Sequence, residues 1–211
     1  MRERLGYAIC LNFFVVIAEL ISLQQVAAVR GVAMLTFYTE CTNLFTMIAS
    51  SIFCIAAVRS LLTGRTIPLW VRTLRFLSVT MLAIVLAVVV LVLAPLLGGR
   101  GGLLTLLFGG TMFFHHLFCP ILAMLSYFIL EDGAGAGRWL ISLSLLPTVI
   151  YAAVLYLLNA TSMVVGPYPF FMVNDLPLWL VAVAGGGLFL GALGVAVLFH
   201  LFDSHIERAK R

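Results

Sequence analysis

Residues 72–97 read RTLRFLSVTMLAIVLAVVVLVLAPLL, and beyond Arg75 the run carries no charge. A helix rises 1.5 Å per residue, so roughly 20 such residues cross the hydrocarbon of a bilayer. This stretch therefore reads as a transmembrane helix. The chain repeats the pattern at residues 5–28, 33–61, 103–130, 138–159 and 178–202. Across 211 residues it is 64% hydrophobic and 9% charged, with a mean hydropathy of +1.19. No soluble domain hides that much apolar surface. The expectation is an all-α polytopic membrane protein, a single transmembrane domain of six helices over residues 1–211.

The breaks between runs are locally legible. Arg59–Pro68 is a polar connector, Gly98-Gly99-Arg100-Gly101-Gly102 a flexible turn, and Glu131–Gly137 an acidic, glycine-rich turn. The longest loop, Ala160–Pro177, holds Gly166-Pro167-Tyr168-Pro169-Phe170-Phe171. Its prolines favour extended backbone, and its aromatics suit a membrane interface. With six spans, Arg2, Arg4, Arg59, Arg65, Arg72, Arg75, Arg138, Arg208, Lys210 and Arg211 collect on one side, against Arg30 and Arg100 on the other. The positive-inside bias then puts both termini in the cytoplasm, with Asp203–Arg211 as a short charged tail. The net charge of +4 lies in these short connections, which reads as a topology signal and not as a nucleic-acid surface.

Several features have structural readings. Cys10, Cys41, Cys54 and Cys119 fall in apolar stretches without CxxC pairing and read as reduced, packed thiols. The first apolar run is too long for a signal-peptide core and is expected to stay as a helix. Gly185-Gly186-Gly187 and Gly191 fit close helix contact or a kink; no GxxxxGK[ST] context makes them a phosphate loop. Asn159-Ala160-Thr161 matches a glycosylation sequon but sits at a helix end.

Ionisable groups inside hydrocarbon are costly unless they face the bundle interior and find partners. Four stand out: Glu19 in the first span, Glu40 in the second, and His115 and His116 in the fourth. Around Glu40, Thr36, Thr39, Asn43, Thr46 and Ser50 recur every three or four residues and form one polar stripe down a helix. Interhelical hydrogen bonding alone accounts for such a stripe. A second reading is chemical. At 1.5 Å per residue from the outer helix ends, Thr39 lies roughly 10 Å deep and the histidines roughly 20 Å deep, with Glu19 between. A threonine hydroxyl, an imidazole and carboxylates at overlapping depth are the parts of an activated nucleophile: the imidazole takes the hydroxyl proton and a carboxylate orients the ring. Adjacent helical residues point about 100° apart, so His115 and His116 cannot face the same point. Their spacing also lacks the i, i+4 pattern by which one helix binds a metal twice, and no metal or cofactor is expected.

The same residues resemble the androgen-induced (FAR-like) family of multi-pass membrane proteins and its bacterial members. Phe37-Tyr38-Thr39-Glu40-Cys41-Thr42-Asn43 is similar to the family's aromatic-x-Thr segment and its bacterial FTxxSN form. His115-His116-Leu117-Phe118-Cys119-Pro120 is similar to its histidine followed by an intrahelical proline, and Tyr168-Pro169-Phe170-Phe171 to its YPFL loop. Animal members are intramembrane threonine hydrolases of fatty acid esters. The resemblance implies Thr39 as nucleophile and His115 as base, with Thr36 and His116 as alternatives. It further implies a bacterial-type member of the inner membrane, partnered by membrane lipid and a fatty-acyl ester. Glu40 or Glu19 would orient the histidine, and Asn43 or Tyr168 would donate to the oxyanion. Two readings from other classes are a small proton-coupled transporter using Glu19, Glu40 and the histidines, and a scaffold with buried polar contacts.

Overall fold

The computed structural model describes residues 2–135 and 137–209, and among these there is no strand. Met1, Ala136, Lys210 and Arg211 lie outside the described residues, as do the side chains of Pro169, Glu207, Arg208 and Ala209. Seven helices carry the fold: α1 (Arg2–Arg30), α2 (Tyr38–Thr63), α3 (Leu69–Leu96), α4 (Arg100–Phe108), α5 (Thr111–Leu130), α6 (Trp139–Ala160) and α7 (Leu178–Ala209). All but the short α4 belong to the six helices long and apolar enough to cross a membrane. The chain is a polytopic α-helical protein.

Two boundaries differ from the sequence expectation, and both bear on the site. The first two spans are separated at Phe37, whose extended backbone (φ −99°, ψ 128°) follows a tight 3₁₀ segment, Gly31–Thr36. Thr36 thus precedes α2, and Thr39 is its second residue. The stretch 103–130 is also not one helix. Gly110, at φ +55°, breaks it after Phe108, in a conformation that side-chain-bearing residues rarely adopt. The membrane-crossing part begins at Thr111. Counted from there, His116 lies only about 8 Å along the helix instead of roughly 20 Å.

Helices α1 and α2 pack antiparallel, their register marked by the Cys54 thiol 3.7 Å from the Ile9 carbonyl. Counting along that pair sets Glu19 between Asn43 and Thr46. α3 is the central helix, with Phe76 and Leu82 meeting Val15 of α1, Ala123 of α5 and Leu140 of α6 in the largest apolar cluster. Large apolar side chains such as Phe13, Phe14, Leu91, Trp179 and Leu201 face outward, as lipid contact requires.

At the arginine-rich end the interior is polar and closed. Arg75, counted above as a topology signal, is fully buried inside the third span. Its guanidinium donates to Glu131 at 2.8 and 3.0 Å and to the Ser50 and Ser78 hydroxyls at 3.0 and 3.2 Å. Asn12 and Ser126 donate to the same carboxylate at 2.9 and 2.7 Å. A buried charge survives because a fully paired counter-charge sits beside it. Asp203 is likewise no part of a loose tail: it is buried in α7 and accepts from the Tyr127 hydroxyl at 2.9 Å and the Gly135 amide at 3.1 Å.

Candidate active site

Helix α2 opens with Tyr38, Thr39 and Glu40, and its first backbone bond runs from the Cys41 amide to the Phe37 carbonyl. The preceding amides have no carbonyl partner within the helix, so Thr39 stands among N–H groups at the positive end of the helix dipole. Its hydroxyl is buried, 3.4 Å from His116 Nε2.

Two backbone irregularities place that imidazole. The break at Gly109-Gly110 stops α4 and leaves the Leu106 carbonyl without an onward helical amide. His116 Nδ1 lies 2.7 Å from that oxygen. A carbonyl only accepts, so Nδ1 carries the proton, and in the neutral ring Nε2 presents its lone pair to Thr39. The histidines also lie in a π-helical turn, Phe114–Phe118, a local widening often found at functional sites. Within it the Cys119 amide bonds Phe114 and Pro120 has no amide hydrogen, so the His115 carbonyl lacks a helical donor. Asn43 Nδ2 approaches it at 3.4 Å and ties α2 to the histidine turn.

His115 points elsewhere. Its Nε2 is 3.5 Å from Glu19 Oε2, both side chains fully buried, near enough for charge interaction but not aligned as a hydrogen bond. Thus the structure pairs Thr39 with His116, not with His115, and Glu19 with His115. Thr36 is not brought to either imidazole: its hydroxyl donates to the Ala33 carbonyl at 2.8 Å. Glu40 is buried on α2 beside Thr39, with Oε2 unpartnered. Asn43 is spent on the His115 carbonyl instead of facing Thr39.

Tyr168, from the outer loop, does reach Thr39. Its hydroxyl stands against the Thr39 hydroxyl and the amides of Thr39 and Tyr38, and burial pushes its pKa up to about 12. It is therefore an O–H donor at neutral pH. Phe37 packs edge-on to its ring at 6.0 Å and Phe170 stacks on it at 5.3 Å. Asn159 pins this loop, donating to the Val164 carbonyl at 3.0 Å and accepting from the Val173 amide at 2.9 Å; so committed, it is a loop staple.

Thr39 and Tyr168 also line an apolar cavity of about 320 Å³. Its walls come from α3 (Val85, Val88), α6 (Ala152, Tyr156) and α7 (Leu188, Phe189). Gly185 keeps it open: a Cβ there would lie 2.9 Å from the Tyr156 hydroxyl, whereas Gly186, Gly187 and Gly191 meet nothing within 4 Å. Close approach is thus confined to Gly185. Among the described residues no three His, Cys, Asp or Glu side chains converge as a metal site would require. No protein-family profile matches this sequence, and no curated protein or solved structure is significantly similar to it.

Proposed function

We propose that this chain is an intramembrane threonine hydrolase of fatty-acyl esters, as its resemblance to the androgen-induced (FAR-like) family implies, with Thr39 as nucleophile and His116 as base. The single observation that carries the reading is the relay from the Leu106 carbonyl through the His116 ring to Thr39. It fixes the tautomer that a general base needs and gives the imidazolium a partner once the proton arrives. The 3.4 Å separation suits a resting site that tightens around substrate.

The chemistry runs as follows. His116 Nε2 takes the Thr39 proton as Oγ1 bonds the ester carbonyl carbon. The resulting oxyanion is met by the Tyr168 hydroxyl and the amides opening α2. Collapse breaks the ester C–O bond, and the departing alcohol takes the proton from His116. Water then attacks acyl-Thr39, His116 accepting its proton, and the carboxylic acid leaves as Thr39 is reprotonated. The apolar cavity beside Thr39 suits an acyl chain, delivered sideways from the outer leaflet if the arginine-rich end faces the cytoplasm of a bacterial cell.

The test uses purified Thr39→Ala and His116→Ala proteins and a panel of long-chain esters. Loss of turnover in both is expected, and unchanged turnover in both would remove the proposal.

A further inference from the structure

The polar interior has two halves, satisfied differently. Around Arg75 the side chains are bonded to one another. Nearer Thr39, the following lack a well-aligned hydrogen bond: both carboxylate oxygens of Glu19, whose neighbours are His115 and the Cys119 thiol, both ring nitrogens of His115, Asn43 Oδ1, Thr46 Oγ1 and Glu40 Oε2. These residues are at most 2% exposed.

These seven atoms are gathered, whereas the other buried polar atoms without a partner among the described residues, Asn12 Oδ1, Thr42 Oγ1, Arg72 Nε, His200 Nδ1 and Ser204 Oγ, are spread over the bundle. Glu40, Asn43 and Thr46 follow at three-residue steps down one face of α2. The α1–α2 register puts Glu19 between Asn43 and Thr46, and Glu19 lies 3.5 Å from His115. Thr46 is informative because a helical hydroxyl ordinarily bonds the carbonyl four residues back. Ser51, Thr63, Thr80 and Thr105 all do so here at 2.8 to 3.0 Å, and Thr46 does not. Its hydroxyl is buried with no bond to its own helix.

We propose that Glu19, Asn43, Thr46 and His115 enclose bound water, closed below by the Arg75 knot, and that this water resolves the acyl-Thr39 intermediate. Water both donates and accepts, which matches a ring of carboxylate, amide oxygen, hydroxyl and imidazole. The imidazole beside Glu19 argues against a hard cation, which takes oxygen ligands. The layout keeps reactants apart. The acyl cavity is walled mainly by α3, α6, α7 and the outer loop and includes none of Glu19, Asn43, Thr46 and His115, which belong to α1, α2 and α5, so the water and the acyl chain occupy separate places. The binding of water stands alone; its role in deacylation rests on the hydrolase reading.

Two measurements test it. Radiolytic footprinting of the wild-type protein in ¹⁸O water labels buried side chains only where water is bound. His115, and Cys119 beside Glu19, are expected to take up label while the equally buried Phe76 and Tyr127 do not. No label on His115 and Cys119 overturns the water site, as does protection of both by sodium but not choline, which would make it an ion site. Rapid-quench kinetics with a long-chain ester then compare Thr46→Val and Thr46→Ser with wild type. Acylation of Thr39 is expected to be unchanged in Thr46→Val and deacylation slowed roughly tenfold or more, with Thr46→Ser restoring it. Equal deacylation in all three overturns the assigned role. Absence of any acyl-Thr39 in wild type would instead sink the hydrolase reading and leave the footprinting result standing.

Discussion

Replacing Arg75 by Met tests whether the closed end of the bundle is held as described. The substitution removes six hydrogen-bond contacts from one guanidinium and leaves the buried Glu131 without its counter-charge, Asn12 and Ser126 still donating to it. Breaking a buried pair by deleting one partner costs about 3–5 kcal/mol, mostly the stranded charge. For a chain of this size that lowers the melting temperature on the order of 10 °C. Removing the stranded charge as well, in Arg75→Met with Glu131→Leu, should recover a substantial part, because an apolar replacement of a whole buried pair is often nearly neutral. Thermal unfolding in detergent, followed by maleimide-dye labelling of the buried Cys119 thiol in protein carrying Cys10→Ser, Cys41→Ser and Cys54→Ser, reads the effect. A single variant as stable as wild type, or a double variant no better than the single, would refute the account of the knot.

Three further outcomes concern the site. His116→Gln should lower ester turnover about 10² to 10⁴-fold, the range of a lost general base, whereas His115→Gln should leave the first acylation of Thr39 intact; the reverse ranking would return the base role to His115. Tyr168→Phe should reduce turnover roughly tenfold to hundredfold with little change in melting temperature, since the α2 amides still face the oxyanion; equal turnover would remove Tyr168 from that role. Gly185→Leu should fill the apolar cavity from the Tyr156 side, so turnover of long-chain esters falls well below that of short-chain ones; a uniform loss across chain lengths would contradict the cavity's assignment to the acyl chain.

The six-span architecture was legible because membrane crossing is written in uninterrupted apolar length; the spans follow the expected order, although the fourth begins eight residues late, at Thr111, and the first two meet at Phe37. The convergence of Thr39 and a histidine was legible from the cost of burying polar groups in hydrocarbon. The choice between His115 and His116 was not, because it rests on a break at Gly109-Gly110 inside a run that reads as one apolar helix. Breaking there frees the Leu106 carbonyl and brings His116 up to the level of Thr39. The glycine pair was the available signal. Arg75 was misread for a related reason: near the end of a span, an arginine counts as a topology charge until its partner is known, and Glu131 lies 56 residues away. Asp203, within two turns of the C-terminus, hid its buried role in the same way.

The most direct test of the central claim is to treat the membrane-reconstituted protein with a fluorophosphonate bearing a long alkyl chain and locate the adduct by peptide mass spectrometry. The account predicts one adduct on Thr39, absent in Thr39→Ala and suppressed in His116→Gln. An unlabelled Thr39 in otherwise folded protein, or an adduct that persists in Thr39→Ala, would contradict it.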